Sequence, residues 1–304
     1  MVIDLIGENN SDELCDTCKD QISMQRLLVL GPATCKTEII FDVIDISFDN
    51  SPDFIGIIPF FGSADRSGIS TKILFRVDVD HPPTFRRGTR VTLCGIQYEE
   101  DYGYYTRLPQ KVADRVSEGV SLLASNTAGG RVRFKTNSKF IAIHVTEWVY
   151  PGGTFPHMTL LGHSGFDLYR KKEGEEQEIY YHSFIPPQEP GLGYSSPFET
   201  DGEWAEYTLN FPLYNGVKGL YIALKKDAVI EEAEDYVNKL PIVYYGSSIT
   251  QGASASRPGT CYQAIISRRL NMDYVNLGFS GNAKAEKIMA QYLAGLRMNG
   301  CIWR

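Results

Sequence analysis

Two adjacent serines, Ser247 and Ser248, lie within "YGSSITQG", between a short apolar run and a helix-like segment. A hydroxyl at a strand-to-helix turn is exposed at the carboxyl edge of a sheet, where backbone N–H groups can stabilise an oxyanion. Gly246 permits the bend, and Gly252 leaves room beyond it. The pattern predicts a nucleophilic serine. An ordinary strand-to-helix loop or a phosphate-binding turn remains an alternative, but a Walker loop is excluded because no Gly-Lys-Ser/Thr follows.

A serine nucleophile requires a base, and every histidine of this chain precedes Ser248: His81, His144, His157, His163 and His182. Asp273 is the only aspartate after Ser248, and it begins the second strand, at the wrong end of a parallel sheet. A domain interface could bring His157 or His163 near Ser248, since catalytic triads recur in different chain orders. The alternative is that both histidines are structural or solvated.

The elements around these residues change in type along the chain. Short β-like runs fill residues 37–97, and "LPQKVADRVSEGVSLLAS" then predicts one helical element or a loosely helical linker. Short strands separated by turn signals follow, among them "GRVRFKT", in which Val132 and Phe134 alternate with Arg131, Arg133 and Lys135. Many short strands at this spacing indicate an antiparallel sandwich or jelly roll.

From about Lys239 the pattern becomes β/α. The strand "PIVYYG" precedes a helix whose apolar face is predicted to hold Tyr262, Ile265, Ile266 and Leu270. The strand "DYVNLG" and a second helix follow, and "CIWR" has the composition of the first residues of a third strand. Short β-α-β crossovers require parallel pairing, so the strands should end at one common edge.

These motifs carry a resemblance to a known family. "YGSSITQG…SRPG" resembles the first block of the SGNH (GDSL-type) hydrolases, and "NLGFSGN" resembles their second block. "GFDLY", at Gly165 to Tyr169, resembles the signature of the β-rich domain that precedes such hydrolases. The resemblance implies a multidomain chain: an unassigned β-rich region at 1–97, a sandwich-like accessory domain at 98–238, and part of a flavodoxin-like SGNH hydrolase domain at 239–304.

The resemblance also implies roles for individual residues. Ser248 would be the nucleophile, and the backbone N–H groups of Ser248 and Gly281 would form the oxyanion hole. Asn282 would help to hold the loop, and Ser247, at the position of the more familiar Asp, would be structural. The family's third block and its late Asp-x-x-His lie downstream of the third strand. We therefore expect a chain truncated after its second block, and inactive or nearly so.

The function that the resemblance implies is ester hydrolysis, with deacetylation of carbohydrate esters as the favoured case and no metal or organic cofactor. The alternative is a non-catalytic carbohydrate-binding protein with a degenerate hydrolase remnant. Four aromatic side chains could stack on a sugar or could instead belong to the core or its rim: Trp148, Tyr150, Phe155 and Trp204.

Composition excludes several other classes. The net charge of the 304 residues is −7, and the basic residues near the end are not interleaved with stacking aromatics, so nucleic-acid binding is not indicated. The sequence has no apolar run of membrane-spanning length and no signal-peptide pattern, which favours a cytoplasmic protein. The pair Cys15 and Cys18 is half of a zinc site, with free thiols as the alternative.

Overall fold

The computed structural model describes residues 23–27, 41–45, 54–57, 71–72, 91–149, 155–187, 193–225 and 228–303. Cys15, Cys18, His81 and Tyr150 lie outside these residues, as does most of the predicted N-terminal β region. The chain divides into two compact units, Met1–Phe54 and Ile55–Arg304. In the first unit, β1 (Ser23–Leu27) and β2 (Phe41–Asp45) form an antiparallel pair.

The β-rich part contains two antiparallel sheets and a small hairpin. Its strands are β3 (Phe54–Ile57), β4 (Thr71–Lys72), β5 (Thr92–Cys94), β6 (Gln97–Glu99), β7 (Tyr104–Thr106), β8 (Arg131–Thr136), β9 (Phe140–Val145), β10 (Phe166–Lys172), β11 (Ile179–Phe184), β12 (Tyr194–Glu199), β13 (Ala205–Asn210), β14 (Leu220–Lys225) and β15 (Ile230–Glu232). One sheet has the order β11-β10-β13-β8-β5-β4, with β15 also paired to β8, and the other has the order β12-β9-β14-β3. Strands β6 and β7 form the hairpin.

The two sheets share one apolar core. Phe134, Phe166 and Leu209 from the larger sheet pack in one cluster with Ile143 and Ile222 from the smaller sheet. The alternation of apolar residues along β8 thus directs Val132 and Phe134 into this core, as the sequence predicts.

The opposite face of β8 is not the solvated surface that its charges suggest. Arg131 and Arg133 are only 2% and 4% exposed. Arg131 forms an ion pair with Asp273, and Arg133 forms one with Glu206 at 2.6 Å. Since Asp273 belongs to the α/β part of the chain, this charged face is buried between the β-rich and α/β parts.

The α/β part forms a parallel three-stranded sheet of order β17-β16-β18. Its elements are β16 (Asn238–Gly246), α4 (Ser248–Gln251), a 3-10 helix (Pro258–Thr260), α5 (Tyr262–Leu270), β17 (Met272–Gly278), α6 (Lys287–Ala294) and β18 (Gly300–Trp303). Three helices precede this part in the chain: α1 (Gln110–Val116), α2 (Glu118–Ala124) and α3 (Leu160–Ser164). The predicted third strand is therefore present, beside β16 on the side away from β17.

Helices α1 and α2 replace the single predicted helical element. Ser117 adopts an extended conformation between them, and its hydroxyl accepts a hydrogen bond from the N–H of Val120, which caps α2. Ala113 of α1 and Val120 of α2 are buried with Val275 and Met289 in the core of the α/β part. These two helices thus cover the sheet that lies far downstream in the sequence.

The predicted apolar face of α5 is only partly confirmed, because Tyr262 packs against the core but the fully buried side chains lie elsewhere on the helix. Gln263, Ala264 and Ser267 are the buried residues, while Leu270 is 53% exposed. Small and polar side chains occupy the buried face because they allow close packing and can donate hydrogen bonds to nearby backbone carbonyl groups. Gln263 Nε2 donates to Thr250 O at 2.5 Å, and Ser267 Oγ donates to Met272 O at 2.6 Å.

Candidate active site

The candidate site lies where two parallel strands end together. In the register of β16 and β17, Gly246 is opposite Gly278. The N–H of Phe279 donates to Gly246 O at 2.7 Å, so the two chain segments remain in contact beyond the strands. Ser247 precedes α4, and Ser248 is its first residue. The first and second sequence motifs therefore meet at the carboxyl edge of the sheet.

A hydrogen bond joins the two motifs directly. The N–H of Gly281 donates to Ser247 Oγ at 2.9 Å, in a solvent-exposed position. Asn282 Nδ2 donates to Ser280 O at 2.8 Å, within the same loop. No residue that the structure describes forms a hydrogen bond with the Ser248 hydroxyl. The geometry brings Ser247, Ser248, Gly281 and Asn282 together, and it engages the Gly281 N–H with Ser247.

Gln251 organises the site from beneath, and sequence reasoning did not select it. Its side chain is fully buried. Oε1 accepts from the N–H of Ser280 at 2.9 Å, and Nε2 donates to Asn126 Oδ1 at 2.9 Å and to Leu213 O at 3.2 Å. One amide thereby connects both motifs with the β-rich part. The sequence feature that could have identified Gln251 is a polar residue at a helix position that must face inward.

Gly278 explains how closely the motifs approach each other. A Cβ at this position would lie 2.1 Å from the backbone nitrogen of Gln251. Any side chain there would push α4 away from the end of β17. Asn276, two residues earlier, donates from Nδ2 to Thr250 O at 2.9 Å and fixes the same contact.

Tyr214 extends from the β-rich part to both motifs. Its hydroxyl donates to Ser248 O at 3.2 Å. Burial raises the pKa of Tyr214, and a hydrogen bond with the Ser280 side chain opposes that shift. His163 stacks beside Tyr214, with ring centroids 6.3 Å apart. Phe155 packs its ring against both of these residues.

The described histidines have different surroundings. His144 Nδ1 lies 2.8 Å from Ser195 Oγ, and His182 stacks on Phe198, so both belong to the β-rich sheets. His163 is buried with Nδ1 2.6 Å from Ser164 Oγ, and burial lowers its pKa. His157 stacks on Phe155. His163 is therefore linked to Ser248 through the Tyr214 ring, whose hydroxyl donates to Ser248 O, and His157 is linked to Tyr214 only through Phe155.

Arg107 supports the second motif from behind. Its guanidinium donates to Gly278 O at 2.6 Å, to Asn276 O at 3.2 Å and to Leu123 O at 2.7 Å. It also lies over the Phe279 ring at 4.9 Å. Burial lowers the pKa of Arg107 to about 9. A buried cation here binds three carbonyl groups and so fixes the end of β17.

Only some of the aromatic side chains considered for sugar stacking are exposed to solvent. Trp148 is 3% exposed and stacks on Tyr194 in the core, so it is unavailable to a sugar. Phe155 is 47% exposed, and Trp204 is partly exposed.

The described residues contain no group of three metal-ligating side chains. Within the same residues, no helix has the length and apolar character needed to cross a membrane.

The family comparison agrees with both sequence motifs. Residues 86–230 match the GxDLY family, the N-terminus of the SGNH-hydrolase type of esterase, and residues 238–299 match the GDSL-like lipase/acylhydrolase family. The chain belongs to the SGNH/GDSL-type hydrolases with an N-terminal GxDLY domain. No curated protein matches the chain.

Solved structures support a β-rich GxDLY domain followed by a hydrolase-like domain. A Bacteroides ovatus protein described as a GDSL-like lipase is 34% identical over 69% of this chain, with a TM-score of 0.61. The salicylyl-acyltransferase SsfX3 of a tetracycline biosynthetic pathway is 19% identical over 69% of this chain, with a TM-score of 0.53, and shares the fold. This chain covers 60% and 58% of these two proteins, respectively. A Cellvibrio japonicus family two carbohydrate esterase, 10% identical over 63% of this chain and 50% of its own, has a TM-score of 0.36, too low to bear on fold or substrate.

Proposed function

We propose that this GxDLY–GDSL chain is built for ester hydrolysis, with Ser248 as the nucleophile. Ser248 would attack the acyl carbon, the alcohol would leave, and water would release the acid from the acyl-enzyme. The observation that carries the proposal is the meeting of Ser248 and the Gly281 loop at one edge of a parallel sheet. Both parts of an acyl-transfer site are needed within a few ångströms of each other.

The oxyanion would be bound by the backbone N–H groups of Ser248 and Gly281. In this structure the Ser247 hydroxyl accepts the Gly281 N–H, so it holds the place that a substrate oxygen would take. Ser247 and Asn282 therefore act as supports: Ser247 positions the Gly281 loop in the absence of substrate, and Asn282 bonds within that loop.

We further propose that the 304-residue chain turns over esters slowly. A serine needs a base to accept its proton, and no described histidine is hydrogen-bonded to Ser248. His163 contacts the Tyr214 ring, and His157 stacks on Phe155, which packs against Tyr214. A serine site whose base is not engaged keeps only the small part of the rate enhancement that an oxyanion hole supplies.

For the substrate we propose an acetylated carbohydrate. The exposed ring of Phe155, stacked on His157, offers an apolar face beside polar groups near Ser248, as a sugar requires.

The two antiparallel sheets with a common core support a sandwich-like domain at 98–238. The β17-β16-β18 order supports a flavodoxin-like domain at 239–304. The expected boundary at residue 97 does not separate two regions, because β3, β4 and β5 belong to the same two sheets as the later strands.

A fluorophosphonate probe tests the nucleophile directly, because it records a single attack by the serine and a long incubation detects even a slow attack. We expect mass spectrometry to locate the label on Ser248, Ser248→Ala to abolish labelling, and Ser247→Ala to retain it. Hydrolysis of p-nitrophenyl acetate should be near background and should lose its remainder in Ser248→Ala. Label on Ser247, or labelling that survives Ser248→Ala, would contradict the assignment. Binding of glycans without any labelling would favour the non-catalytic alternative.

A further inference from the structure

The aspartate and tyrosine of the GxDLY motif contact the hydrolase part of the chain. Asp167 is fully buried on β10, where its Oδ1 accepts from Asn210 Nδ2 at 2.8 Å. Its Oδ2 accepts from the backbone N–H of Gly259 at 2.8 Å. Tyr169, also on β10, donates its hydroxyl to the carbonyl oxygen of the same Gly259 at 3.3 Å. The motif therefore binds both polar groups of one residue.

Gly259 fits this contact because it has no side chain. A Cβ would lie 2.3 Å from Tyr169 Cε2 and 2.9 Å from Asp167 Oδ2. Gly259 belongs to "SRPG", the segment that completes the first hydrolase motif and forms the 3-10 helix. The glycine of one motif is thus the counterpart of the aspartate and tyrosine of the other.

Two arginines of the hydrolase part close the contact. Arg268 Nη2 donates to Gly259 O at 2.7 Å, and its guanidinium lies 4.0 Å from the Tyr169 ring centroid. Arg257 Nε lies 3.6 Å from Asp167 Oδ2. The Asp167 carboxylate is therefore faced by an amide, a backbone N–H and a cation.

The same loop is held at a second point and returns to the nucleophile. Thr159 Oγ1, just before α3, donates to Ser256 O at 2.7 Å. At the start of the loop, the N–H groups of Gly252 and Ala253 donate to Ser248 O at 3.0 and 2.9 Å. Residues 252–260 thus run from the carbonyl of Ser248 to the GxDLY motif, with contacts from the β-rich part along the way.

We infer that the GxDLY motif is a clamp that fixes the loop after the nucleophile, and that Asp167 is a positioning residue for Ser248. This inference rests on the proposed role of Ser248 for its catalytic meaning only. Asp167 touches neither Ser248 nor the Gly281 loop, so its effect passes through Gly259 and residues 252–258. The clamp explains why a β-rich domain and a hydrolase domain carry matched motifs in one chain.

Amide hydrogen exchange of the 304-residue protein tests the clamp without any need for activity. Asp167→Ala removes the acceptor of the Gly259 N–H, so peptides covering 246–261 should exchange about tenfold faster or more. Asp167→Asn keeps an acceptor of the same shape and should restore most of the protection. Asp201→Ala is the matched control, because Asp201 pairs with Arg170 and Lys172 in the same β-rich part and should leave 246–261 unchanged.

Gly259→Ala approaches the clamp from the other side, should Asp167→Ala fail to fold. Its methyl group meets Tyr169, so 246–261 should lose protection while β8 and β13 keep theirs. Unchanged exchange of 246–261 in either folded variant would overturn the clamp. Fluorophosphonate labelling of Ser248 should slow in Asp167→Ala and recover in Asp167→Asn. Wild-type protein that takes no label would count against the proposed function, and the exchange result would still decide the clamp.

Discussion

The two faces of strand β8 are both buried, but by different means. One face contributes Val132 and Phe134 to an apolar core between two antiparallel sheets. The other contributes Arg131 and Arg133 to a polar interface with the α/β part, where each guanidinium has a carboxylate partner. Burial of apolar area is non-directional, whereas buried charges require specific partners. The apolar face should therefore tolerate change of shape, and the polar face should not tolerate loss of a partner.

Arg131→Met should give the largest effect. The side chain keeps its length but leaves Asp273 without a cation, and it removes the stacking on Tyr274 at 3.8 Å. Removing one member of a buried ion pair costs about 3–5 kcal/mol. Urea unfolding should show this loss. Lys135→Met is the control on the same strand and face, since its partner Glu234 is 71% exposed, and it should change stability by less than about 1 kcal/mol. Equal effects of the two variants would contradict the contrast.

Asp167 allows the same interface to be tested by pH. Burial raises its pKa from 3.8 to about 6, against the hydrogen bonds from Gly259 and Asn210. The folded protein therefore holds this proton more tightly than the unfolded chain does. Its contribution to stability is greatest below pH 3.8, falls as pH rises towards 6, and is level above that.

Asp167→Asn removes this titration. The unfolding free energy of the variant minus that of the wild type should increase between about pH 4 and 6, by up to about 3 kcal/mol. Denaturant melts across that range measure it. A difference that stays flat with pH, or that falls as pH rises, would show that the partners of Asp167 compensate its burial fully.

Phe134→Leu should give the smallest effect, although Phe134 is fully buried. The substitution stays apolar, and neighbouring side chains can adjust, so the cost should be about 1–1.5 kcal/mol. Urea unfolding under the same conditions as for Arg131→Met compares the two faces directly. A loss larger than that of Arg131→Met would reverse the ranking.

The same contrast explains what the sequence could predict. Apolar alternation and turn residues were sufficient for most strands of the β-rich part, for β16 and β17, and for the edge at which Ser248 and the Gly281 loop meet, but they did not identify β12, β15 or the β6–β7 hairpin. The burial of Arg131 and Arg133 could not be predicted, because a charged face at period two is identical for a solvated strand and for an interface. Gln251 and Tyr214 were missed for a related reason: their importance lies in partners far away in the chain.

Helices α1 and α2 are a similar case. Their apolar stripe can be recognised in the sequence, but the α/β sheet that this stripe packs against cannot. Their placement has a consequence for how the protein folds. Arg107, just before α1, binds Asn276 across 169 positions of sequence. Contacts at such separation form slowly, since a long loop must close before any of them contributes. During synthesis these helices leave the ribosome well before β16 and β17 have been made. Their apolar faces therefore stay exposed to solvent until those strands are available. We therefore expect a chaperone requirement to fall on this stretch rather than on the β-rich strands that follow it.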